Sequence, residues 1–319
     1  MKACVATTPG NPSVLEIHDV PDPVPGPGEL LVEVEYAGLN FIDTYRRSGV
    51  YETPFPHIPG AEGSGRVIGR GSDVEGWWDG TRVAWAASAS GSYAEKAIVK
   101  AGDALYVPDH VEMNIAAALP LQGMTAHYLI NSVFPVTDGT KLVVTGAAGG
   151  VGRIACQLAS GKNAIVIATT STEDKLPFIT HATYPLVVTD WSTFPDTVKD
   201  LVGEVDVVYD GIGKASFDYT LATLRRRGLM CLFGGASGQV PPFDLQRLNA
   251  GGGLFVTRPS LAHYLGEEQS WRWNELMEAV RLRWLDVLIG KIVPLDRARE
   301  AHELIESGTS VGKTLISIR

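Results

Sequence analysis

Four glycines in the segment Lys141-Leu-Val-Val-Thr-Gly-Ala-Ala-Gly-Gly-Val-Gly152 carry the clearest chemical signal in this chain of 319 residues. Gly146, Gly149 and Gly152 recur at three-residue intervals, with Gly150 and Val151 between the last two. Glycines so spaced let a backbone turn sharply and approach a pyrophosphate closely. The first turn of a following helix adds unpaired N–H groups and the positive end of a dipole. The same glycines could serve a turn of purely structural use, so the flanking elements decide. Leu142–Thr145 is apolar and β-branched, as a buried strand should be, and Ile154, Cys156 and Leu158 fit an apolar helix. A glycine turn between a strand and a helix favours a dinucleotide site.

A dinucleotide carrying a 2′-phosphate is distinguished from one without it at the end of the second strand. Folds that bind the unphosphorylated form usually place Asp or Glu about 20 residues past the glycines, on the ribose hydroxyl. Here the second strand ends Ala168-Thr-Thr-Ser171, with no acid at its tip. Hydroxyls and a cation welcome a phosphate that a carboxylate would repel. Glu173 and Asp174 lie close by, in a helical first turn where acids ordinarily serve the dipole. Asp190, after the third strand, would weaken phosphate binding if it faced that group.

The elements that must hold these residues repeat downstream. Strand-like runs at Ala164–Ala168, Leu186–Val188, Val205–Tyr209, Leu229–Phe233 and Leu254–Thr257 follow at βαβ spacing, although Pro177 interrupts the helix after the second strand. The economical solution is an α/β fold with a doubly wound parallel sheet. Residues 1 to about 120 differ. Pro and Gly cluster at 21–28, Glu29–Tyr36 alternates apolar with polar, and short strands are expected at Gly65–Ile68, Thr81–Ala84 and Tyr93–Val99. A helix is expected from Met113 to Ala126, further helices over Trp271–Leu288 and Asp296–Glu306, and a closing strand at Thr314–Ile318. That last strand should return to the first domain and make it discontinuous: residues 1–122 and 262–319 form the β-rich domain, 123–261 the nucleotide-binding domain.

A net charge of −9 offers no basic face for nucleic acid. The three cysteines Cys4, Cys156 and Cys231 are scattered, which implies neither a disulfide framework nor a thiolate metal site. The N-terminus lacks a signal-peptide core, and no apolar run approaches the roughly 18 residues of a membrane span. A soluble cytoplasmic protein is expected.

Several segments together resemble the zinc-free medium-chain dehydrogenases/reductases of the quinone oxidoreductase, or zeta-crystallin, type. They are Ala37-Gly-Leu-Asn-Phe-Ile-Asp-Thr-Tyr-Arg-Arg-Ser-Gly-Val-Tyr51, Ile58-Pro-Gly-Ala-Glu-Gly-Ser-Gly65, Leu121-Gln-Gly-Met-Thr-Ala-His-Tyr128, the glycine turn, Val207-Val-Tyr-Asp-Gly-Ile-Gly213, Arg226-Arg-Gly-Leu-Met-Cys-Leu-Phe-Gly234 and Val256-Thr-Arg-Pro-Ser-Leu261. The resemblance implies a Rossmann domain joined to a GroES-like domain, NADP(H) as cofactor, a quinone as substrate and a homodimer paired through the strand near Leu254–Thr257. It implies cofactor contacts from Phe41, Asp43, Thr125, Tyr128, Gly146, Gly149, Gly150, Val151, Gly152, Ser171, Lys175, Phe233, Gly234, Pro259, Ser260 and Leu261. Asn40, Tyr45 and Tyr51 become the catalytic candidates: an amide able to hydrogen-bond a carbonyl, and two rings with hydroxyls for a flat acceptor.

In zinc-dependent relatives a Cys stands at the position of Asn40 and a His at that of Ala61, so no metal is expected. Catalytic zinc needs about three ligands, and Glu62 alone supplies one. Glu62 is read as hydrogen-bonded beneath the active site, Lys313 as a surface lysine, and His57 and His127 as structural. Two other functions stay open. One is a zinc-free enoyl or alkenal reductase acting on an activated C=C bond of an enone; the other is a non-catalytic, crystallin-like nucleotide-binding protein.

Overall fold

The computed structural model describes residues 1–318. The chain divides into two compact units, Gln122–Arg272 and the remainder, Met1–Leu121 with the chain from Trp273 onward. Residues 262–272, placed by sequence with the β-rich domain, thus group with the nucleotide-binding unit. Within it Tyr264 stacks on Tyr128, and Arg272 donates to the Tyr264 carbonyl at 2.8 Å.

The N-terminal unit opens with a separate antiparallel pair, β1 (Lys2–Ala6) and β2 (Leu15–Asp19). Its main sheet is organised around β3 (Glu29–Gly38). That strand pairs antiparallel with β4 (Glu62–Arg70), with β6 (Lys96–Lys100) and with β15 (Lys313–Ser317). The flanks are β5 (Arg82–Trp85) and β7 (Leu105–Tyr106) on one side and β14 (Ile289–Pro294) on the other. Alternation along β3 sends Leu30, Val32 and Val34 into a core with Val67, Val83 and Trp85. The β3–β4 register sets Gly38 opposite Glu62, and the β15–β3 register sets Gly38 opposite Leu315. Segments from three distant parts of the sequence therefore meet at the end of β3.

Beyond that end, α1 (Phe41–Ser48) begins at Asn40, whose N–H donates to the Asp43 carboxylate at 2.9 Å. Gly49 ends it in the left-handed region, φ 80°. The long helix expected from Met113 is two pieces, α2 (Met113–Ala118) and α3 (Pro120–Tyr128), because Pro120 has no N–H to continue the first.

The central unit is a six-stranded, wholly parallel sheet in the order β10-β9-β8-β11-β12-β13. Its strands are β8 (Lys141–Val144), β9 (Ile165–Thr170), β10 (Tyr184–Val187), β11 (Val205–Asp210), β12 (Leu224–Leu232) and β13 (Phe255–Thr257). The order reverses between β8 and β11, the switch point where such sheets bind ligands. Helices α4 (Gly150–Ser160), α5 (Phe194–Val202), α6 (Phe217–Leu221) and α7 (Gln246–Ala250) connect most strands. After β9 there is only a 3-10 segment, Glu173–Phe178, which contains Pro177. The core joins Val143, Ile167, Val208 and Met230 to Phe194, Val198, Phe217 and Leu221. Helix α8 (Gln269–Arg281) stops well short of Leu288, since Arg283 takes a left-handed φ of 59°. Helix α9 (Ala298–Glu306) leads back toward β15. Among the described residues no helix is long and apolar enough to cross a membrane.

Candidate active site

The glycine turn forms as its spacing requires. Gly146 is left-handed at φ 64°, and Gly149 caps α4, its carbonyl accepting from Arg153 N at 2.9 Å. A methyl group on Gly152 would sit 2.6 Å from the Gly146 carbonyl oxygen and 2.8 Å from Ala147 Cα, so only glycine lets the helix approach the turn. One on Gly150 would overlap the Gln122 amide. The first-turn N–H groups of α4 have no helical acceptor, and a pyrophosphate would satisfy them.

A buried carboxylate braces this turn, and the sequence reading gave it no role. Asp210 Oδ1 accepts from Thr145 Oγ1 at 3.0 Å, Ile212 N at 2.8 Å and Gly213 N at 3.1 Å. Its second oxygen accepts from Ser216 and Thr220. The ends of β8 and β11 are thus tied together. Gly234 at the end of β12 fits against them, since a methyl there would lie 2.5 Å from the Gly211 carbonyl oxygen. The signal was the Asp in the quoted Val207–Gly213 segment.

At the end of β9, Ser171 is exposed and Lys175 is buried. Burial pulls the Lys175 ammonium below its usual range, with the nearby Asp174 charge working the other way. A phosphate would supply the counter-charge that such a lysine gains by. Asp190 caps a short turn, its carboxylate accepting from Ser192 N at 2.9 Å, and hydrogen bonding with Ser192, side chain first and backbone second, holds its pKa below the usual range. Phe233 and Leu261 are half-buried, Pro259 is buried and Ser260 exposed.

Thr125 and Tyr128 are both buried on α3. The ring of Tyr128 lies 4.4 Å from that of Tyr264, nearly parallel. With one face covered and its hydroxyl raised by burial, Tyr128 packs the interior of its unit. His127, for which sequence offered no partner, faces Arg272 Nη1 at 2.9 Å.

In the other unit the polar residues converge more tightly than expected. Glu62, wholly buried, accepts from Leu121 N at 2.6 Å, Asn40 Nδ2 at 2.9 Å and Lys313 Nζ at 2.5 Å. Lys313 is 1% exposed, which corrects its reading as a surface lysine, and its ammonium also donates to Asn40 Oδ1 at 2.9 Å. Asn40 Nδ2 donates in addition to the Gly38 carbonyl at 3.1 Å. The amide of Asn40 therefore has its oxygen and both N–H groups engaged within the protein, so it is an anchor rather than a spare donor for a carbonyl. Asp43 is likewise turned inward, accepting from Asn40 N and from Ala61 N at 3.0 Å.

The remaining candidates of this segment are aromatic, and Phe41 packs partly against the apolar core of its unit. Phe41 and Tyr45 lie 6.1 Å apart between centroids, Tyr45 and Tyr51 meet edge-on at 5.4 Å, and Tyr51 is 40% exposed. Zinc does not fit this centre. The Glu62 carboxylate is already neutralised by an ammonium, the Asn40 amide is saturated, and no group of three His, Cys, Asp or Glu suited to a metal occurs among the described residues.

Residues 26–109 match the alcohol dehydrogenase GroES-like domain, and residues 150–280 match the family described as zinc-binding dehydrogenase. The chain is 36% identical to quinone oxidoreductase 1 of Escherichia coli, over 96% of each chain. It is 31% identical to a 2-haloacrylate reductase of Burkholderia, over 98% of each. A mycobacterial structure complexed with NADPH superposes with a TM-score of 0.96 at 42% identity, covering 99% of this chain and 100% of the other. With likeness at this level along nearly its whole length, the chain belongs to the quinone oxidoreductase branch of the medium-chain dehydrogenases/reductases.

Proposed function

We propose that this protein is an NADPH-dependent quinone oxidoreductase that works without a metal ion. The observation that carries the proposal is the Asn40–Glu62–Lys313 centre, which holds a lysine where a metal enzyme would need an open Lewis acid. When bound, NADPH supplies a hydride from its reduced nicotinamide. The glycine turn and the α4 N-terminus hold the pyrophosphate, and Ser171 with Lys175 holds the 2′-phosphate. Thr125, Phe233, Gly234, Pro259, Ser260 and Leu261 complete the cofactor contacts. Tyr45 and Tyr51, with Phe41, offer flat apolar faces to an acceptor ring and hydroxyls to its oxygens. Asn40 and Asp43 position that face from behind.

A quinone that has taken hydride is a stabilised, phenolate-like anion and can draw its proton from water, so no protein acid is indispensable. Tyr45→Phe and Tyr51→Phe should each cost less than the roughly 10²-fold lower bound for loss of a general acid. Abolished turnover with intact NADPH binding would instead favour reduction of an activated C=C, which needs a proton delivered to carbon. The likeness to a 2-haloacrylate reductase makes that the second reading.

We further read the protein as a cytoplasmic homodimer. Its three cysteines are buried free thiols, which suits a reducing compartment. Strand β13 ends the parallel sheet with Phe255 58% exposed and Val256 beside it, an edge that invites pairing with a second copy.

A further inference from the structure

Arg272, in the first turn of α8, is wholly buried, a cation that the roles assigned above leave unused. Its guanidinium reaches two pieces of chain within the nucleotide-binding unit. Toward the residues just before α8, Nε donates to the Tyr264 carbonyl at 2.8 Å and Nη2 donates to the Glu268 carboxylate. Toward α3 and the π-helical segment Leu129–Val133 that continues it, Nη1 lies 2.9 Å from His127 Nδ1, 145 positions away in sequence. Nη2 also donates to Ser132 Oγ at 2.8 Å. A guanidinium can only donate, so His127 Nδ1 presents its lone pair. Trp271 closes the cluster, its ring centroid 5.0 Å from the guanidinium carbon and its plane edge-on to His127 at 4.8 Å. The stack of Tyr264 on Tyr128 joins the same two pieces of chain.

Both pieces carry cofactor contacts in the reading above. Thr125 stands on α3, and Pro259-Ser260-Leu261 runs from the end of β13 into the 3-10 turn Leu261–Tyr264. The sheet order says which half of the cofactor they meet. The 2′-phosphate belongs at the end of β9 with Lys175, and the pyrophosphate at the turn between β8 and α4. Continuing in the same direction along β10-β9-β8-β11-β12-β13 brings the other half, which bears the nicotinamide, over the ends of β11, β12 and β13.

We propose that Arg272 is a positioning residue for the nicotinamide half of the cofactor: it pins the Pro259–Tyr264 segment to α3 and so fixes the spacing of the two walls between which the reduced ring is held. The proposal rests on the cofactor placement given above. The task suits arginine in particular, since one planar group with several fixed N–H donors serves a carbonyl, a ring nitrogen and a hydroxyl at once. The bond to Glu268 contributes least, because that carboxylate is 51% exposed and well solvated. None of the hydrogen-bond partners named here lies on β8, β9 or α4. Loss of the guanidinium should therefore spare the phosphate sites and loosen the nicotinamide end alone.

The test titrates two ligands in parallel, NADPH and 2′,5′-ADP, which carries the 2′-phosphate and a 5′-phosphate but no nicotinamide. Arg272→Met should weaken NADPH by about 10-fold and leave the affinity for 2′,5′-ADP unchanged. The emission of bound NADPH should move toward that of the free nucleotide, since the ring is no longer held. Tyr264→Ala keeps the buried guanidinium and removes the stack; it should show the same split, and it carries the test if Arg272→Met does not fold. With a quinone as acceptor, kcat should fall in both variants, a ring displaced by about 1 Å costing up to roughly 10²-fold. Equal loss of the two ligands, or NADPH affinity and emission unchanged from the parent protein, would overturn the proposal. Should the protein reduce no quinone, the titrations still decide the role of Arg272, and only the quinone reading fails.

Discussion

Replacing Lys313 by methionine removes the cation from a fully buried ion pair. Both partners are within 1% of complete burial, and the N–O distance is 2.5 Å. Breaking a buried pair by deleting one partner generally costs about 3–5 kcal/mol, because the remaining charge is stranded. Glu62 keeps two donors, Leu121 N and Asn40 Nδ2, so the lower end of that range applies to the carboxylate. Asn40 Oδ1 also loses its ammonium donor, which adds about 1 kcal/mol. The expected loss is about 4 kcal/mol, on the order of 10 °C in melting temperature for a domain of this size. Urea denaturation of Lys313→Met, Glu62→Gln and the double variant gives the coupling energy directly. The double variant should recover much of the loss, since a neutral amide needs no cation. A loss under about 1 kcal/mol for Lys313→Met, or strictly additive single effects, would refute the reasoning.

Three further outcomes follow from particular residues. Lys175→Ala should erase most of the preference for NADPH over NADH, a roughly 10- to 100-fold change in affinity measurable by fluorescence titration. Gly152→Ala should weaken binding of both nucleotides, because its methyl group would force the glycine turn away from α4; calorimetric titration with each nucleotide checks this. Phe255→Lys should place a charge on the exposed edge of β13 and lower the mass seen by light scattering to the 34.2 kDa of one chain.

Local signals in the sequence were informative where one short segment determines the outcome. The glycine turn, the alternating β3 and the break at Pro177 each depend on neighbours within a few residues. What sequence reading missed lies between residues far apart in the chain. Lys313 and Glu62 are separated by 251 positions, and Arg272 and His127 by 145. Nothing in the local pattern around a C-terminal lysine says that the β15–β3 register carries it under Asn40. The same register sets what Asn40 can do. An amide in a pocket segment looks like a donor awaiting substrate, until Lys313, Glu62 and Gly38 use all its hydrogen-bonding capacity. The stack of Tyr128 on Tyr264 was hidden for a similar reason, since Tyr264 falls in a stretch that sequence had given to the other domain.

The central claim is tested most directly by the rate at which the purified protein oxidises NADPH in the presence of quinones, enones and aldehydes, with NADH run in parallel. The account predicts fastest turnover with quinones, slower or no turnover with aldehydes, a clear advantage of NADPH over NADH, and rates unchanged by a metal chelator. Preferential reduction of enones, or activity that a chelator abolishes and zinc restores, would contradict it.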